Sequence, residues 1–487
     1  MKSIIIIGAG MGGLASGIFG QMAGFDTTIY EAGEKPGGQC ASWTRKGYVF
    51  DACVHDFGVG APGGKFNEFW RELGVIPFEN LPLREAISAV FPDGTSFRDY
   101  YDIQKLEAHM KGISPEDSAV IDSYINGIKR FIGNDFTRLF IGQLRERLFL
   151  LPSFVSLSKY FRRSLDDFGK RFEHPALRRV FPLLHHSVPG VPLFLHLAKH
   201  ADAIGGGLGW PKGGSLTISR KMSARYKSLG GTIFCRQKAV KILVENNRAR
   251  GVKLEDGSEI KSDFVISNAD GRKTILELLS GRYVNRRILN YCKTDDDEPC
   301  PFSIIVFLGV KRDLSSYPSN TLVFLEEPAE IAGIICDHLD LQMYGFDESM
   351  APAGKGVIKV ELFSKPSYFS IFYGDKQAYR NEKRRITDRV ISLLDRQYPG
   401  LQNDLEVSEV VTLKSWERYM GGTNGYNNFP NKKFNPAEEL FGYNRTRTLP
   451  GLKNFYFCGQ WTTSAGALFM NALSGKKAIE KIIKANK

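Results

Sequence analysis

Residues 3–17 read "SIIIIGAGMGGLASG" (Ser3–Gly17), and this stretch decides the fold. Ile4 to Ile7 is an unbroken β-branched run, the pattern of a strand covered on both faces within a parallel sheet. It passes directly into Gly8-Ala9-Gly10-Met11-Gly12-Gly13 and then into a small-residue helix that runs to about Ala23. Thr27–Tyr30 forms the next strand, so the opening is a βαβ unit ending at Glu31, 23 positions after Gly8. Glycines let the backbone approach a pyrophosphate, the helix N-terminus offers free N–H groups, and an acidic residue ending the second strand accepts ribose hydroxyls. A GxGxxG without that context is weak; with strand, helix and Glu31 in place it predicts the adenosine half of a dinucleotide site.

The same grammar returns near the other end, in "NFYFCGQWTTSAGALFMNALSGKKAIEKI" (Asn454–Ile482). A short apolar strand leads into a glycine-punctuated turn, and Leu468, Ala472, Gly475, Ile479, Ile482 and Ile483 then follow a helical stripe. The other glycine-rich candidate, Gly205–Gly209, follows no apolar strand, so one dinucleotide site is expected. A flavin dinucleotide that spans a protein needs a second anchor from a distant part of the chain, and the Gly459–Gly466 turn suits that task. Its helix N-terminus stabilises negative charge by roughly 0.3 to 1 kcal/mol.

Between these ends, residues 33–64 are glycine-rich without a helical period, and helical patterns dominate from Lys65 to about His200. There Ser114 reads as an N-cap, with Pro115 at N1 and Asp117 at N3. Short strands follow at Ala239–Val244, Arg250–Leu254 and Glu259–Lys261, with Asp256-Gly257 as a hairpin turn, and then the apolar strand of "FVISNAD". Strands at Ser303–Leu308 and Val357–Leu362 and a helix at Ala378–Arg396 occupy the next third.

The 487 residues allow two or three domains, and 43% hydrophobic with 24% charged content is ordinary for a globular protein. No apolar run approaches the roughly 18 residues of a spanning helix, and Ile4–Ile7 is too short for a secretory h-region, so a cytoplasmic location is expected. Seven cysteines, odd in number and never in CxxC, read as reduced thiols rather than a disulfide or zinc framework. His185 and His186 lack a spaced third ligand, so no metal is expected.

Half of the net charge of +12 lies in residues 129–172, with ten Lys/Arg against four acids among eight phenylalanines and Tyr160. Such helices suit peripheral contact with an anionic bilayer, a solvated helix face being the plainer reading. No nucleic-acid motif accompanies the charge, and no nucleic-acid partner is expected.

The motifs "GAGMGGL", "YEAGEKPGGQ", "GYVFDACVHDFG", "GGGLGWPKGGS", "DFVISNAD" and "GLKNFYFCGQW" are collinear with one family. The chain resembles the phytoene-desaturase-like FAD oxidoreductases, which include carotenoid desaturases, carotenoid isomerases and retinol saturases. The resemblance implies an α/β fold: a discontinuous, glutathione-reductase-like Rossmann-type FAD-binding domain with an α+β substrate domain and a helical cap. These are expected at 1–64, 205–290 and 448–487 for FAD, 65–204 for the cap and 291–447 for the substrate. It implies FAD with Gly8, Gly10, Gly12, Gly13 and Glu31 on the adenosine half and Gly37, Gly38 and Gln39 along the channel. It places Val240 at the adenine, Asn268 and Ala269 beside the diphosphate, and Gly459, Gln460, Trp461, Gly466, Ala467 and Leu468 at the ribityl and flavin.

Where relatives carry a glycine run, this chain has Ser464, Ala465, Gly466, Ala467, Leu468, Phe469 and Met470, so its chemistry is expected to differ there. His55 and Asp56 follow the channel stretch and are the candidate catalytic pair, able to give or take a proton beside a hydride-transferring flavin; His55 also admits a purely structural reading. The implied reaction is hydride exchange between flavin N5 and a long apolar polyunsaturated or isoprenoid substrate, as desaturation, saturation or isomerisation. The alternatives are an amine-oxidase-like flavoenzyme and a non-catalytic FAD-binding protein. The electron partner stays open among quinone, O2 and NADPH.

Overall fold

The computed structural model describes residues 1–133, 141, 157, 159–293, 299–422, 447–463 and 467–486. The opening strand Ser3–Ile7 lies at the centre of a five-stranded sheet in the order Thr232–Phe234, Asp26–Tyr30, Ser3–Ile7, Phe264–Ser267 and Phe455–Phe457. All four pairings are parallel, with Ile5 opposite both Thr28 and Val265. Both faces are covered, as the isoleucine run requires. Ile4 and Ile6 pack into a core with the first helix, Met11–Met22, while Ile5 and Ile7 face a second core that includes the antiparallel sheet of Ala239–Glu245, Arg248–Leu254 and Glu259–Lys261.

The first helix crosses the terminal helix, Leu468–Ala485, at very short range. A Cβ on Gly475 would lie 2.4 Å from the Gly12 carbonyl oxygen and 2.8 Å from the Ser16 nitrogen, so only glycine allows this approach.

A seven-stranded sheet forms the second layer, in the order Leu405–Val411, Cys300–Val310, Gly356–Ser364, Ile334–Met343, Asn320–Ile331, Glu85–Val90 and Ser96–Tyr100. Its last two strands come from a stretch that helical texture dominates in the sequence. The signal for them is "FPDGTSF", in which Asp93-Gly94 joins two short apolar runs, the same turn chemistry as Asp256-Gly257. Glu85–Val90 then adds to Asn320–Ile331 in parallel, which couples the helical layer to this sheet.

That layer contains Ile103–Ile113, Ser118–Phe131 and Leu193–Ile204 around a core of its own. Ser114 is not an α-helical N-cap. Pro115–Asp117 form one 3-10 turn, the Ser114 hydroxyl donates to Asp117 at 2.7 Å, and Asp117 accepts from the Glu173 and His174 backbone N–H groups. In the basic stretch, Phe131, Tyr160, Phe168 and Phe172 are buried in this core, so their apolar surface is turned inward. Phe136, Phe140, Phe149 and Phe154 lie outside the described residues. Among the described residues no helix is long and apolar enough to cross a membrane.

Candidate functional site

The two glycine turns, far apart in sequence, meet. A Cβ on Gly12 would lie 2.7 Å from the Gly459 nitrogen, and one on Gly13 would lie 2.0 Å from the Gly8 carbonyl oxygen. Asn268 fills the space between the turns: its amide nitrogen reaches the Gly8 carbonyl at 3.5 Å, and its Oδ1 would meet a Cβ on Gly459 at 2.2 Å. Gly459 itself has φ +78 and donates its N–H to Ser474 at 2.6 Å. The Gly37 N–H donates to Ala9 O at 2.9 Å and a Cβ on Gly38 would sit 3.1 Å from Gly10, so the channel loop closes over the first turn. Glu31 turns back to the same place, accepting from the N–H groups of Ala9 at 2.6 Å and Gly33 at 2.7 Å. Among the described residues neither the first nor the terminal helix carries a side-chain cap or an acid in its first turn, the character of a helix end that suits an anionic group.

The stretch after the channel is pinned by Asp51, which accepts from the Ser215 N–H and hydroxyl and from the Ser42 hydroxyl, each at 2.7 Å. Beyond it the chain delivers His55 and Asp56 into a buried cluster of charged groups. The His55 ring pairs through Nε2 with Glu361 and stacks on His186 with centroids 3.7 Å apart. Asp56 holds the Lys199 ammonium at 2.6 Å and faces His186 at 3.6 Å. Lys359, fully buried, reaches Glu361 at 3.2 Å. His186 and Ser187 are successive non-glycine residues at φ 53 and φ 56, a conformation costing about 1–2 kcal/mol each, and it turns both side chains inward.

Two carboxylates stand directly opposite one another here, Asp340 on Ile334–Met343 and Glu361 on Gly356–Ser364. Their environments drive them apart. Burial pushes the Glu361 carboxyl up, but the charges of His55 and Lys359 outweigh it and hold the group well below the usual carboxylate range. Asp340 is pushed up to about 6, by burial and by the neighbouring Glu361 charge, against the opposing effects of His55 and the Ser187 hydroxyl, which donates at 2.9 Å. Asp56 follows Glu361: burial raises it, and Lys199 with His186 bring it far below the usual range. One carboxyl that keeps its proton up to about pH 6 beside one that is ionised far below that is a split of the kind found in acid–base pairs.

A family model for flavin-containing amine oxidoreductases matches residues 11–483. The chain belongs to that family. It is similar to a lycopene-forming phytoene desaturase from Paracoccus sp., at 25% identity over 504 residues, covering 99% of this chain and 97% of that one. A chloroplastic prolycopene isomerase from Daucus carota is 24% identical over 453 residues, covering 86% and 71%. Among solved structures, an oxidoreductase from Methanosarcina mazei superposes with a TM-score of 0.58 at 16% identity, covering 98% of this chain and 100% of that one.

The family's flavin is FAD, and the residues are compatible with it: glycines at both turns allow close backbone approach that a Cβ would block, and the Glu31 carboxylate stands at the first turn. Gly8, Gly10, Gly12, Gly13, Gly37, Gly38, Asn268 and Gly459 come together. Ala269 follows Asn268 at the edge of the second core, Gln39 follows Gly38, and Gln460 starts a short 3-10 turn. The Trp461 ring is buried against Gly271, where a Cβ would lie 1.9 Å from it, so the ring is taken up by packing there. Val240 sits on the three-stranded sheet, 37% exposed. Ala467 and Leu468 begin the terminal helix, and Gly466 lies outside the described residues. Phe469 packs edge-on against Phe66 and Phe69, with centroids at 4.6 and 5.4 Å, adding an aromatic wall beside the turn. Cys458 is buried and its thiol is pushed up to about 12, which makes it an inert apolar residue.

Glu361, Asp340, Lys359 and Lys199 are absent from the sequence reading. In "VIKVELF" and "DHLDLQM" the charged residues alternate with apolar ones, the pattern of a strand whose polar face meets water. Here that face is covered as well, by the channel stretch and the loop carrying His186 and Ser187.

Raising Asp340 from 3.8 to about 6 costs on the order of 3 kcal/mol at alkaline pH, at about 1.4 kcal/mol per pKa unit. Because the folded value lies above the unfolded one, the stability this carboxyl contributes is full below pH 3.8 and is lost as pH rises through about 6. Asp340→Asn is therefore expected to gain stability over wild type by roughly 1–2 kcal/mol between about pH 5 and pH 8. Denaturant melts at the two pH values check this, and a pH-independent difference would refute the assignment.

Proposed function

We propose that this FAD-dependent oxidoreductase exchanges hydride with a long apolar, polyunsaturated or isoprenoid substrate, as a desaturase, saturase or isomerase. The observation that carries the reading is the similarity to a carotenoid desaturase and a carotenoid isomerase along most of the chain. The aromatic wall of Phe66, Phe69 and Phe469 supports it, since such surface suits an apolar chain better than a polar one. Bound FAD supplies the two-electron chemistry.

The protein's own contribution is proton handling in a largely buried site. His55 and Glu361 share one position for a proton, and Asp340 holds another across the strand pair. Asp56, locked to Lys199, keeps the loop that carries His186 in place rather than exchanging a proton. This divides the two residues named from sequence: His55 as acid or base, Asp56 as its positioning partner.

The test is anaerobic mixing of the flavin-loaded protein with polyenes, quinones, NADPH and polyamines while absorbance near ~450 nm reports the flavin's redox state. Reduction by a polyene, or reoxidation of the reduced protein by one, is the expected result. Rapid reduction by polyamines with none of the apolar compounds active would replace this reading with an amine-oxidase reaction.

A further inference from the structure

We propose that Asp99, Tyr124, His196 and His200 form a closed four-donor site for a divalent cation of the zinc type. It fastens the helical layer to the edge of the seven-stranded sheet. Asp99 lies on the edge strand Ser96–Tyr100 and Tyr124 on Ser118–Phe131. His196 and His200 stand one turn apart on Leu193–Ile204, an i,i+4 spacing that places both rings on one helix face. All four side chains are buried.

Their donor atoms cluster, with those of Asp99, His196 and His200 all within 4.8 Å of one another. Asp99 Oδ2 is 2.9 Å from His196 Nε2 and 3.0 Å from His200 Nε2, and the Tyr124 hydroxyl is 2.9 and 3.5 Å from the same two nitrogens. Tyr124 also stands 3.4 Å from Asp99 Oδ1. A tetrahedral ion with ligands at about 2.0–2.1 Å separates its donors by roughly 3.3 Å, so the spacings of 2.9–3.0 Å need to lengthen, and the one of 3.5 Å to shorten, by only a few tenths of an ångström.

Asp99 can accept from both Nε2–H groups and from the Tyr124 hydroxyl, but hydrogen bonding to Asp99 does not use every close contact in the cluster. An imidazole nitrogen has a single in-plane direction, either one N–H or one lone pair, yet His196 Nε2 faces two oxygens at the same 2.9 Å. Among the described residues neither His196 Nδ1 nor His200 Nδ1 has a hydrogen-bond partner, so the contacts that orient the rings are those at Nε2. Two imidazoles, a carboxylate and a phenol oxygen suit a borderline ion such as Zn2+, and four protein donors with no exposed position mark a structural rather than a catalytic centre. Since no described residue accepts from the far ring nitrogens, binding is expected to be moderate and reversible by chelators. This proposal is independent of the substrate reading.

Metal analysis of the full-length, flavin-loaded protein from zinc-supplemented cultures tests it. About one zinc per chain is expected in wild type, and less than roughly a fifth of that in Asp99→Asn or His200→Gln. A strong chelator should lower the melting temperature, zinc should restore it, and flavin absorbance should stay constant throughout. Should the variants fail to fold, cobalt added to chelated wild type decides, because a four-coordinate N2O2 site gives it intense visible bands. Metal-free wild type that develops no cobalt spectrum would overturn the proposal, as would zinc retained in full by both variants.

Discussion

Replacing Gly12 by alanine is expected to yield protein without FAD. The added methyl would stand 2.7 and 2.8 Å from the Gly459 nitrogen and Cα and 2.5 Å from Asn268 Oδ1, so it wedges the two glycine turns apart. Backbone cannot retreat as a long side chain can, and overpacking of this kind costs roughly 1–3 kcal/mol. With the cofactor placed across both turns, as the resemblance implies, most of that cost would fall on flavin binding. A tenfold or greater fall in bound flavin, about 1.4 kcal/mol or more, should appear as lost absorbance near ~450 nm per protein. Gly112→Ala, in a helix with open space around it, is the control and should keep its flavin. Full flavin content in the Gly12 variant would mean that the turns do not hold a common ligand.

The second large effect is expected at Glu361. Changing it to glutamine leaves the fully buried Lys359 ammonium without its counter-charge and removes the partner of His55. Breaking a buried pair from one side costs about 3–5 kcal/mol, or about 3–5 °C in melting temperature for a chain of 487 residues. The cost comes from the stranded charge, not from the loss of an attraction. Accordingly Glu361→Gln combined with Lys359→Met should recover much of the stability while leaving turnover low. A double variant no more stable than the single one would show that Lys359 is solvated in the folded protein.

How far the sequence reaches is visible in individual residues. The isoleucine run, the glycine turns and Glu31 are local patterns with one physical solution, and the strand at Ser3–Ile7 and the helix at Met11–Met22 appear where periodicity puts them. Asn268 is marked only by family likeness, because nothing local says that an amide following an apolar strand will fill the gap between two turns. Glu361 and Asp340 are less legible still. Strand periodicity reports which residues share a face but not what covers that face, and only the packed layers turn a water-facing pattern into a buried acid–base pair. Strands Glu85–Val90 and Ser96–Tyr100 were hidden for a different reason: they are short, and strong helical texture follows them.

The crossing of the first and terminal helices at Gly12 and Gly475 also sets a clock on biosynthesis. At about 5–20 residues per second, a ribosome that has made the first turn needs roughly 20 to 90 seconds to supply its counterpart. For all of that time the nascent chain exposes half a nucleotide site and an apolar helix with no mate. Cofactor capture is therefore a late event that follows elongation, and chains that stall or are cut before Gly475 should emerge colourless and be prime clients of chaperones and proteases.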